Sequence, residues 1–133
     1  MFSKKKKEID EEYLKKGVAQ VKDGDVEIAA KNQEQIEDKI ANSGALRKYT
    51  ELGKLMFAML NDYRSGIYNN IPWFTIASIA FTVLYVLNPF DLMPDFLPGI
   101  GYIDDFAVMT VTLRFIETDL HKYLDWKLED NED

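Results

Sequence analysis

The chain has 133 residues, one histidine, no cysteine and a net charge of −7 from 16 basic and 23 acidic side chains. That length suits one domain with a modest core, and the missing thiols exclude a disulfide framework and thiolate chemistry. The acidic balance argues against a nucleic-acid partner, whose affinity rests on Lys and Arg neutralising phosphates. The charge is unevenly placed. Residues 1–64 are nearly neutral, whereas residues 65–133 hold three basic and eleven acidic side chains. The lysines near the N-terminus have no apolar h-region behind them, so they do not read as a signal peptide. A reducing, intracellular setting is the default.

In chain order, Lys4–Lys7 is a basic run. It reads either as a solvated terminus or as a contact for anionic lipid. Glu8–Val21 predicts a short helix with Gly17 as a weak point, and Lys22-Asp23-Gly24-Asp25 predicts a turn. Asp25 is placed to N-cap a second helix running to about Ala41, with Val26, Ala29, Ala30, Ile36 and Ile40 as a narrow apolar stripe. A third helix covers about Ala45–Tyr63. Leu46, Tyr49, Leu52, Met56, Met59 and Tyr63 form its apolar face.

From Ser65 to Phe90 there is no charged residue. Pro72 suits a first helical turn, and Trp73-Phe74 and Tyr85 place aromatics at both ends of an apolar helix, Ile71–Leu87. The run is short for a bilayer, about 25 Å against about 30 Å of hydrocarbon. Thr75, Ser78 and Thr82 can bond back to the preceding turn. A domain this small is expected to have trouble surrounding a helix that is apolar on every face, which favours membrane contact. A last helix starts at Asp104 or Asp105 and runs to about Lys127, too charged to span alone. Basic residues flank the two apolar arms, and none lies between them. By the positive-inside rule this gives a two-span or re-entrant hairpin with cytoplasmic termini. Burial in a cytoplasmic helical bundle is the alternative.

Between the arms lies LNPFDLMPDFLPGIGYIDD, from Leu87 to Asp105, a corner stiffened by Pro89, Pro94 and Pro98. The stretch PFDLMPDFLPGIGYIDD resembles the signature of the YkvA-like family, a bacterial domain of unknown function that also occurs in some membrane-bound eukaryotic ubiquitin ligases. The usual form runs roughly P-x-D-[LI]-[IL]-P-D-[FL]-[IL]-P-x-x-G-x-[LI]-D-D. Pro89, Asp91, Pro94, Asp95, Pro98, Gly101, Asp104 and Asp105 all fall on it. Asn88 stands where a serine is common. The resemblance covers about Ile71–Ile116. It implies a membrane-associated helical hairpin and carries over no activity.

Asp91, Asp95, Asp104 and Asp105 are the candidate site. Carboxylate oxygens suit Mg²⁺ or Ca²⁺, although the spacing matches no EF-hand loop. The structural reading competes: Asp91 and Asp95 cap turns, Asp104 N-caps the last helix and Asp105 sits at its positive end. His121 is expected on an exposed face, and most nucleophilic and zinc mechanisms lack parts.

The expected architecture is all-α, with about five helices. Residues 1–66 form an amphipathic N-terminal region, 67–128 a YkvA-like hairpin domain and 129–133 an acidic, disordered tail. The expected function is a non-catalytic, membrane-associated scaffold or accessory module without a resident cofactor. Membrane lipid is the expected partner, with a protein partner or homo-oligomer as a further one. The rivals are a divalent-cation enzyme or cation-binding protein using the acidic corner, and a soluble helical-bundle interaction protein.

Overall fold

A computed structural model describes residues 2–87 and 105–132, with the side chains of 11–87 and 107–129. Among the described residues all regular structure is helical: α1 (Phe2–Ala19), α2 (Asp23–Lys31), α3 (Gln33–Asn42), a 3₁₀ turn (Arg47–Tyr49), α4 (Thr50–Arg64), α5 (Trp73–Leu87) and α6 (Asp105–Glu132). The all-α expectation holds.

The extra helix arises at Asn32, which stands at φ −103°, ψ 18° between α2 and α3. Its amide Nδ2 donates to the Ile28 carbonyl at 2.8 Å. A short polar side chain that bonds to the local backbone competes with the helical ladder. The break lets Val26 and Ala29 of α2 and Ile36 and Ile40 of α3 all be buried. α2 begins two residues before the expected cap. Asp25 therefore lies in the first turn, where its carboxylate accepts the Lys22 backbone N–H at 2.9 Å. α4 ends at Arg64, and just beyond it Gly66 takes a φ of +78°, which suits glycine. There Gly66 N–H donates to the Tyr63 carbonyl and Ile67 N–H to the Asp62 carbonyl, which closes the helix end.

The centre of the molecule is α5. Every residue from Thr75 to Val86 is buried. α1, α2, α3, α4 and α6 all pack against it. The expectation that so small a domain has trouble surrounding an apolar helix is therefore corrected, and the alternative, burial in a helical bundle, describes α5. α5 is only 15 residues long, about 22 Å, and five partners cover a rod of that length. Nor is the expected transmembrane helix present among the described residues: no helix there is long and apolar enough to cross a membrane.

α6 runs antiparallel to α5, as Thr82 pairs with Thr112 and Thr75 with Asp119. α4 runs antiparallel to α3, since Asn61 bonds Gln33 while Gly53 lies against Ile40. α1 closes the remaining side with its own apolar cluster, in which Tyr13, Leu14 and Val18 meet Ala77, Phe81, Tyr85, Val108 and Val111. Gly17 is no weak point, because a methyl there would run into the Phe81 ring. Close helix approach explains the glycine. Two expectations about the termini also change. α1 begins at Phe2 rather than Glu8, so Lys4–Lys7 lies inside it, and α6 continues through the acidic tail to Glu132. Once a long helix exists, adding a residue costs little.

Candidate functional site

Asp91, Asp95 and Asp104, with Pro89, Pro94, Pro98 and Gly101, lie outside the described residues, as does the Asp105 side chain. α6 starts at Asp105, as expected. What the structure describes is how the neighbouring chain is held. At the exit of α5, Lys39 of α3 donates to the Leu87 carbonyl at 3.3 Å. A cation there complements the negative end of the helix dipole. Near the start of α6, Thr110 bonds the Tyr49 hydroxyl at 3.1 Å. Tyr13 of α1 meets Tyr85 edge-on, with ring centroids 6.5 Å apart.

The α5–α6 seam is polar where the sequence pattern suggests only apolar packing. Of the three hydroxyls in α5, Ser78 bonds back to the Phe74 carbonyl at 2.7 Å, as expected. The other two reach across: Thr82 pairs with Thr112 in the buried core, and Thr75 donates to Asp119. Spacings of three and four put all three hydroxyls on neighbouring parts of one helix face. Nothing in the sequence distinguishes local from cross-helix partners.

At the far end, Tyr123 donates to Asp62 Oδ2 at 2.6 Å and accepts from Lys127 Nζ at 2.9 Å. Tyr68 meets its ring edge-on at 5.2 Å between centroids and lies tilted against Trp126 at 4.7 Å, while Trp126 stacks on Tyr123 at 5.8 Å. Burial, and then the bond to Asp62, push the Tyr123 phenol above its ordinary value. Burial and the charge of Asp119 do the same to Tyr68. The Tyr123 bond raises Lys127 further, against its partial burial. All three therefore stay protonated at neutral pH and are poor proton-transfer groups there. Beside this cluster, Asp23, Val26, Glu27, Tyr63, Arg64, Ser65 and Trp73 line an open cleft of about 450 Å³. Glu27 and Arg64 pair across it at 3.5 Å. Among the described residues no three carboxylate, histidine or cysteine side chains gather as a metal would need. His121 is exposed, as expected.

These features define a helical bundle built around one buried apolar helix, with a proline- and aspartate-rich segment leading from that helix to the next. The model of a family described as "Protein of unknown function (DUF1232)" matches residues 75–111, which take in α5, that segment and the start of α6. The chain is also 36% identical over 73 residues to the "Uncharacterized membrane protein YkvA" of Bacillus subtilis (strain 168), covering 55% of this chain and 69% of that protein. The chain belongs to the YkvA-like family. No solved structure matches it.

Proposed function

We propose that the protein is a membrane-associated helical module that serves as a scaffold or accessory factor and catalyses no reaction of its own. The observation that carries this reading is kinship with a protein named as a membrane protein, of which the chain covers 69%. We infer further that contact is made by docking of the folded bundle. α5 is committed to the core: Ile76, Ile79, Phe81, Val83 and Val86 are all at most 2% exposed. Lipid would keep those side chains out of water, but the faces of α1, α2, α3, α4 and α6 that pack on them would lose their cover. Each large apolar side chain so exposed costs about 1.5–3 kcal/mol, against a whole-domain stability of about 5–15 kcal/mol. Moving α5 into lipid would therefore amount to unfolding the bundle.

Fractionation of cells expressing the full chain tests the reading. The protein is expected with the membranes after high-speed centrifugation. Recovery in the supernatant, at native expression levels and low salt, would overturn it.

A further inference from the structure

We propose that the protein meets an anionic lipid surface with one end of its bundle, the end where α1 begins and α5 stops. This rests on the membrane-associated reading above and adds the lipid class and the contacting face. The register of α1 carries the argument. Gly17 lies against Phe81 and Tyr13 against Tyr85, so α1 runs antiparallel to α5. At about 1.5 Å per residue, Lys7 lies about 9 Å and Lys4 about 13 Å beyond the level of Tyr13. That is past Leu87, the last residue of α5. The basic run is therefore a helical segment reaching beyond the core. The packing of Tyr13, Leu14 and Val18 holds the helix that bears it.

Other cations share that end. Lys39 sits on the Leu87 carbonyl. Arg47 and Lys48, both exposed, precede Tyr49, which bonds Thr110 near the start of α6. The opposite end carries prominent acids beside Lys22 and Lys122. Asp23 and Glu27 open α2 beside Trp73, and the last turns of α6 bring Asp125 and Glu129. Two of the cations there are already paired, Arg64 with Glu27 and Lys127 with Asp62. A bundle polarised in this way presents its lysine end to a negative surface and turns its acidic end, with Trp73 and Phe74, away from it. Each lysine near an anionic surface strengthens binding about fivefold, and four do so several-hundred-fold. Salt screens that attraction. Asp91, Asp95, Asp104 and Asp105 follow Leu87 in the sequence and lie outside the described side chains.

The test is co-sedimentation of the full chain with phosphatidylcholine vesicles, with and without phosphatidylglycerol, at low and high salt. Binding is expected only with phosphatidylglycerol, and high salt is expected to weaken it. Replacing Lys4, Lys5, Lys6 and Lys7 by Gln should lower the partition constant several-hundred-fold. Lys39→Gln with Arg47→Gln and Lys48→Gln should lower it less. Lys122→Gln, at the acidic end, should leave it within twofold. Equal losses in the Lys4–Lys7 and Lys122 variants would overturn the assignment of the docking end. A Lys4–Lys7 variant that binds vesicles as before would overturn the proposal. Salt-insensitive binding to phosphatidylcholine alone would overturn it while leaving the membrane reading intact. Binding to no vesicle would remove both.

Discussion

The Thr82–Thr112 pair offers a sharp test of the α5–α6 seam. Both residues are at most 1% exposed, and their hydroxyls bond each other across the two helices. Thr82→Val keeps the shape but leaves the Thr112 hydroxyl buried without its partner. Such an orphan costs about 1–3 kcal/mol, whereas replacing both partners by apolar groups is nearly neutral. A threonine in a helix can turn back to an earlier carbonyl, which softens the penalty. We therefore expect about 1–2 kcal/mol for each single valine variant, or roughly 3–6 °C in Tm for a chain of this size. The double variant should lie within about 0.5 kcal/mol of the parent, a coupling of roughly 2 kcal/mol. Urea titrations followed by circular dichroism supply all four corners of the cycle. Additive destabilisation would refute the cross-helix pairing and, with it, the register assigned to α5 and α6.

Gly17→Ala should destabilise the fold by about 1 kcal/mol or more despite better helix propensity, because overpacking against Phe81 costs about 1–3 kcal/mol. Gly24→Ala, in α2 with open space around it, should raise Tm slightly; the same melting assay reads both. Tyr68, Tyr123 and Lys127 all have folded values raised above their ordinary 10.0, 10.0 and 10.5. Their contribution to stability is thus complete below about pH 10 and is lost as the pH rises through the folded values. Tm should hold up to about pH 9.5 and then fall, and Tyr123→Phe should flatten that alkaline slope; an unchanged slope would count against the Asp62–Tyr123–Lys127 cluster. Mg²⁺ or Ca²⁺ should leave Tm unchanged. A rise abolished by Asp91→Asn or Asp105→Asn would instead establish a cation site in the acidic segment.

Periodicity sufficed for much of the architecture. The stripe of Met56, Met59 and Leu60 in α4 is buried as its spacing implies. So is the Met109, Ile116 and Tyr123 face of α6. Two features were not legible, for physical reasons. Hydropathy describes α5 as apolar all round, but whether lipid or protein surrounds it depends on the other helices. In α1, Leu14 and Val18 do not stand out among the lysines and glutamates, yet with Tyr13 their spacing of one and four is enough to seal α5. Likewise Asn32 looks like one more polar residue in a helical pattern, and only its bond to Ile28 makes it a break. The candidate corner itself was legible as a motif through Pro89, Asp91, Asp95 and Asp105, and its geometry lies outside the described residues.

The central claim is that the protein reaches the membrane as a folded bundle with α5 still inside. Sequential extraction of membranes bearing the full chain addresses it most directly. The account predicts release by high salt, or at the latest by alkaline carbonate, as protein that then stays in solution without detergent. Retention through both washes, with release only by detergent, would mean that apolar chain is embedded in lipid and would contradict the account.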